Sequence, residues 1–292
     1  MSLRDALDRF FLRANQLNGL LNHLEMQLTG FRNRALEEIK EGHEPRPRFI
    51  CGSSIVVCDL TEQTDPGNWA RYYPTGGFDT QDVRFLEVVE GLISREAAWT
   101  TAQGFEAFES CVKDLLSAFY HGHPSASDPV ALRKCERSLR QKGLVPSALN
   151  FWSAFVRRTY RSADEVLSVI RAIAPQLQEA ERRNFRGRDL TRWFAVISEV
   201  RHAATHFNLT ISREKWSVLG PDGQKLAEEL FSGVRQGGAY ELRPTPREAS
   251  EALSFLAEYG YAAFKALCIA GGHDWRIFRD DGEDPMSLLN PS

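Results

Sequence analysis

Residues 188–208 read RDLTRWFAVISEVRHAATHFN. At about 100° per residue on a helical wheel, Trp193, Val196, Ile197, Val200, Ala204 and Phe207 fall on one arc. This predicts a helix from Arg188 to Asn208 with that arc turned to a core. The opposite arc carries Arg201 at one edge and His206 at the other, with Ser198, Thr205 and His202 between them. The result is a shallow polar groove bounded by a fixed cation and an imidazole. Arginine can clamp a phosphate in bidentate fashion, and histidine can move a proton near neutral pH.

The bare spacing carries little, although nowhere else in the chain does an arginine precede a histidine by five positions. Its context carries more. Arg201-His202-Ala203-Ala204-Thr205-His206 resembles, position by position, the signature of the HEPN superfamily of all-α proteins: arginine, a polar residue, three further residues, then histidine. The resemblance covers these six positions and their helix; elsewhere it is only architectural. It implies a metal-independent endoribonuclease in which two copies of the motif face each other across a dimer. Such ribonucleases commonly act as toxins or in defence against phage, and the family also contains members that only bind.

The chemistry fits the residue types. Attack by a ribose 2′-hydroxyl needs a base for its proton, charge stabilisation at phosphorus and an acid for the leaving 5′-oxygen. One helix supplies one Arg201 and one His206; a symmetric pair supplies two of each in a single cleft. Arg201 and His206 are therefore the candidate catalytic residues, and His202, Thr205 and Glu199 the supporting ones. His202, one turn from His206, would orient it or touch RNA. Glu199 shares an angle with His206 but lies two turns away. No metal or other cofactor is expected. His202 and His206 have the spacing of half a zinc site, but Ala203 stands where the metalloprotease pattern needs glutamate.

Arg182, Arg183, Arg186, Arg188 and Arg192 cluster just upstream and are the candidate RNA contacts. A second basic stretch, Arg133 to Arg161, holds only one acid, Glu136. Net charge over 292 residues is −3, so bulk charge does not advertise a nucleic-acid partner. With 42% apolar and 26% charged residues the chain is of globular class. No apolar run suggests a bilayer span and the N-terminus lacks a signal core, so a cytoplasmic protein with no membrane partner is expected. Five scattered cysteines without a C-x-x-C pair point to reduced thiols.

Outward from the motif the chain reads as a mainly α protein, an antiparallel helical bundle with a long N-terminal helix and small β-hairpin excursions. Residues 1–45 hold a heptad-type seam (Leu3, Leu7, Phe10, Ala14, Leu17, Leu21, Leu24, Leu28, Phe31, Ala35) that predicts a helix to Ile39. That helix would either pack along its own domain or serve as a dimer arm. Residues 46–93 form a mixed connecting segment: a strand or hairpin within Phe49–Leu60, an aromatic loop at 66–78, and a short helix capped by Asp79 or Thr80. The helical domain proper spans 94–278. Its helices run from Ser94 to Tyr120, from Asp128-Pro129 to Gly143, from Pro146 to Tyr160, and from a Ser162 capping box to Arg182 with a break at Pro175. A last helix starts at Thr245-Pro246 and closes at Gly271-Gly272. Within 210–244, Thr210-Ile211, Trp216–Leu219 and Ala239–Leu242 suggest a β excursion turning at Gly220–Gly223. His121 and His123 read as loop residues for want of further ligands. Residues 279–292 are an acidic tail.

A ribonuclease is the leading expectation, with RNA, a second copy of the chain and an antitoxin or regulatory protein as partners. Two alternatives stay open. One is a module of the same fold that binds RNA, a nucleotide or a protein without cutting, and the other is an assembly protein built around the N-terminal helix.

Overall fold

Helix α2 (Phe85–Gly122) is the axis on which the other long helices lie. The computed structural model describes residues 2–41, 55–58, 70–73 and 85–276. The short helix and the Ser94–Tyr120 helix expected separately are one helix of 38 residues. No proline or cap interrupts Leu92-Ile93-Ser94-Arg95, so nothing stops propagation. The expected cap at Asp79 or Thr80 lies outside the described residues.

Among the described residues the α-helices packed on α2 include α1 (Leu3–Lys40), α10 (Pro246–Gly271), α7 (Leu190–His206), α4 (Leu149–Thr159) and α5 (Ala163–Ile173). Along α1 the heptad seam is buried from Leu3 through Leu21, in contact with both α2 and α10. Beyond it Leu24 is exposed and Leu28 and Phe31 are half buried. The proximal half of the predicted arm is thus part of the chain's own core. Two glycines allow the closest crossings. A Cβ on Gly104 would collide with the Leu253 side chain, and one on Gly260 would sit 2.8 Å from the buried Phe10 ring. The core between them is aromatic: Phe105 stacks on Phe194 at 5.1 Å, Phe108 on Tyr259 at 5.3 Å and Trp193 on Phe255 at 5.0 Å.

Local signals set most helix ends. Asp128 caps α3 (Pro129–Gln141), and Gly143 follows it in the left-handed region at φ 75°. The Ser162 hydroxyl accepts from the Glu165 amide, while the Glu165 carboxylate accepts from the Arg161 amide instead of closing the box on Ser162. Pro175 splits α5 from α6 (Gln176–Arg182), as its missing donor requires. Thr245 and Glu248 close a full capping box at α10, which ends on Gly272 at φ 68°. By length and composition α10 could cross a bilayer, contrary to the expectation that no such run exists. Its apolar face, including Tyr259, Ala263, Phe264 and Leu267, is buried in the core.

The β excursion is real but differs in composition. Strand β3 (Thr210–Ile211) pairs with β5 (Ala239–Leu242), which pairs with β4 (Gly233–Gln236), all antiparallel. Gly237 and Gly238, both at positive φ, make the two-residue turn between β4 and β5 that matches strand twist. Trp216–Leu219, expected as strand, belongs instead to α8 (Arg213–Val218) and its end, and Gly220–Gly223, expected as a turn, opens α9 (Gly220–Leu230). Ser212 accepts from the Lys215 amide and caps α8, and Pro221 occupies the first turn of α9. In the connecting segment, β1 (Ile55–Cys58) pairs antiparallel with β2 (Ala70–Tyr73). The strand partner is thus drawn from the aromatic loop; Gly52-Ser53-Ser54, where a hairpin turn was expected, lies outside the described residues. The tail 279–292 lies outside the described residues.

Candidate functional site at the end of helix α7

Helix α7 starts where Asp189 accepts from the amides of Thr191 at 2.9 Å and Arg192 at 3.0 Å. Leu190, Trp193, Phe194, Val196, Ile197, Val200 and Ala203 are buried along it. The buried arc is therefore rotated from the expected one. Phe194 enters the core because Phe105 and Phe108 of α2 cover it. Ala204 is only half buried. Phe207, expected in the core, is 50% exposed, because the helix stops at His206 and the wheel no longer applies. The chain then turns through Asn208 at φ 47° and Leu209 at φ 65°, with the Leu209 amide donating back to the Ala203 carbonyl at 3.1 Å. Leucine in the left-handed region is strained and is held there by its neighbours: the Leu209 carbonyl accepts from the Leu242 amide at 2.8 Å.

The two imidazoles of α7 lie together at this end. The rings of His202 and His206 are 5.1 Å apart and edge to face, and Phe207 lies 5.0 Å from His202. His206 is exposed and His202 half buried. Arg201 is half buried on the adjoining edge, its guanidinium 5.4 Å from the centre of the Phe105 ring. It is not open. Its Nε donates to Oε1 of Glu106 on α2 at 2.6 Å, and Nη2 donates to the same oxygen.

The supporting residues divide. Thr205 spends its hydroxyl on the Arg201 carbonyl at 2.9 Å, a bond within the helix. Glu199 pairs with Lys215 of α8 at 3.2 Å, two turns from His206. His202 alone stands beside His206. Sequence reading missed Glu106, because a partner 95 positions away leaves no local signal.

The upstream arginines also divide. Arg186 forms a two-pronged pair with Glu258, and Arg192 pairs with Asp222 at 3.1 Å. Arg188 packs 5.8 Å from the Phe255 ring and one of its terminal nitrogens is buried with no hydrogen-bond partner among the described residues. Arg182 and Arg183 are exposed at the end of α6 and meet no carboxylate among the described residues. The second basic stretch is partly neutralised, Arg140 by Glu136 and Arg157 by Asp114.

Other reactive groups lie elsewhere. Burial holds the Cys111 thiol far above its usual range and pushes Cys268 up to about 11, so neither is a ready nucleophile near neutral pH. Cys135 is also a free thiol. His123 stacks on Phe119 at 4.6 Å with its ring 5.7 Å from His273, while His121 bonds the Ser147 carbonyl. Among the described residues no three His, Cys, Asp or Glu side chains converge as a metal-binding group. Comparison with protein-family models, curated proteins and solved structures returns no match to this chain.

Proposed function

We propose that the protein is a metal-independent endoribonuclease of the HEPN type, its helices arranged as the antiparallel bundle of that family. Arg201 stabilises charge on the scissile phosphate, and His206 serves as general acid or base at a cleft formed by two copies of α7. The observation that carries this reading is the His202–His206 imidazole pair at the end of α7, with Arg201 the residue before His202 in the same helix. A lone exposed histidine serves many purposes. An imidazole with a second one 5.1 Å away and a guanidinium on the next edge has the groups that proton transfer at a phosphodiester needs. RNA is the substrate, the cytoplasm the site of action, and toxicity or phage defence the role, under an antitoxin or another regulatory protein. The test is incubation of purified protein with total cellular RNA in EDTA, beside His206→Ala and Arg201→Ala proteins of unchanged circular dichroism. Wild type cuts, and each variant loses about 100-fold or more, the scale of a missing acid or base. A variant that cuts as well as wild type removes that residue from the mechanism.

One observation favours a second reading. Arg201 is occupied by Glu106, as expected of a module that binds RNA, a nucleotide or a protein at this groove without cutting. Under it no protein cleaves, and both substitutions weaken binding alone.

A further inference from the structure

Between α6 and α7 the chain makes a short loop, Arg183-Asn184-Phe185-Arg186-Gly187-Arg188, whose base is fixed and whose tip is not covered. Asn184 ties it down: its amide donates to the Ala180 carbonyl at 3.2 Å and to the Arg188 carbonyl at 2.6 Å, while its oxygen accepts from the Arg186 amide at 3.1 Å. Gly187 at φ 62° supplies the left-handed turn. Arg186 lies over the Phe255 ring at 4.6 Å, and Phe255 stacks on buried Trp193, so the loop is anchored in the core.

At its tip Phe185 is 106% exposed, the most exposed large apolar side chain among the described residues, and its ring meets no other. Single exposed apolar residues are ordinary, but the surroundings of this one are not. Arg182 and Arg183, three and two positions before it, pair with no carboxylate among the described residues, and Arg188 adds a third such guanidinium. The nearby acids are engaged or few. Glu181 is buried on Arg171, Asp189 caps α7 and Glu258 is held by Arg186, which leaves Glu179, exposed on α6, as the acid nearby without such a partner.

We infer that this loop is a docking site for single-stranded RNA, with an unpaired base stacked on Phe185 and backbone phosphates on Arg182 and Arg183. A bare aromatic face beside unpaired cations is what single strands use, since every base has a π-face and every phosphate a charge. Duplex bases are already stacked and cannot take the ring. The backbone of the loop is already set, so binding orders only the side chains. The 17 residues of α7 separate the loop from His206 by about 24 Å at 1.5 Å per residue, a span of about seven stacked nucleotides. The inference rests on the preceding reading for the choice of RNA as ligand.

The test is fluorescence anisotropy of a labelled 12-nucleotide oligouridylate and of a 12-base-pair RNA duplex in EDTA, using wild type and the His206→Ala protein so that binding is read apart from cutting. Phe185→Ala weakens oligouridylate binding about tenfold in either background, Phe185→Trp retains it, and duplex binding is unaffected by either. Arg182→Ala/Arg183→Ala lowers the slope of log affinity against log salt by about 1.4, the share of two phosphates on a single strand. RNA bound with this dependence yet never cut upholds the loop and removes the nuclease reading. RNA cut or bound with no dependence on Phe185 overturns the loop and leaves the nuclease. A Phe185→Ala protein that changes self-association but not RNA affinity overturns it in favour of a contact between copies, and oligouridylate bound by none of the proteins overturns it outright.

Discussion

At the residue scale the site turns on Arg201 and its competitor. The Glu106 carboxylate holds the guanidinium where a phosphate oxygen would sit, but the pair is open to water on the Glu106 side and so is worth little. Phosphate can displace it. Glu106→Gln is expected to raise RNA cleavage by up to about fivefold, the worth of an exposed pair of up to about 1 kcal/mol; a fall in activity shows that Glu106 positions Arg201 instead of masking it. A second pair is structural. Glu181 is 2% exposed, accepts two bonds from Nε of Arg171 and one from the Tyr259 hydroxyl, and Arg171 also donates to Tyr259. Glu181→Ala leaves Arg171 half buried with no carboxylate, only the Tyr259 hydroxyl, and is expected to cost about 3 kcal/mol in urea unfolding, near the lower end for a broken buried pair. An unchanged midpoint contradicts that account. Burial also pushes Tyr240 up to about 12, its hydroxyl donating to the Phe231 carbonyl at 2.7 Å. Because the folded state holds this proton more tightly than the unfolded chain, the contribution is intact below about pH 10 and is lost as pH rises through 12. Wild type is expected to lose stability over that window more steeply than Tyr240→Phe; equal slopes place the alkaline loss elsewhere.

At the element scale the glycine crossings carry the packing. Alanine at Gly260 would gain about 1 kcal/mol of helix propensity, but its Cβ meets the buried Phe10 ring, and overpacking costs about 1–3 kcal/mol. A net loss of stability is expected in the denaturation midpoint; a gain shows that α1 can shift away. What was legible in the sequence follows the same division. Helices α7 and α10 and the break at Pro175 were readable because caps, prolines and apolar period act locally. Trp216–Leu219 misled because four residues rich in strand formers cannot be told from one helical turn. The Ser212 cap was the available signal. The rotation of α7 and the Arg201–Glu106 pair were not readable, since both depend on where α2 lies. Phe185 was readable only as a phenylalanine among arginines; its exposure is a property of the loop that Asn184 builds.

At the scale of the whole molecule, the proposed chemistry asks for two copies, because one α7 brings one His206 and one Arg201. Sedimentation is expected to show a dimer at the concentrations where RNA is cut. A monomer with full activity contradicts the shared cleft and requires His202 and His206 of one chain to act as the acid and base between them. The proximal half of α1 is buried in its own chain, so deleting residues 2–21 is expected to abolish cooperative unfolding, not merely dimerisation. The most direct measurement is the chemistry of the RNA ends left after cutting in EDTA. Attack by the 2′-hydroxyl with His206 moving the protons predicts 2′,3′-cyclic phosphate and 5′-hydroxyl ends from wild type, and neither from His206→Ala. Ends carrying 5′-phosphate and 3′-hydroxyl would contradict the account, since they require attack by water instead of the ribose.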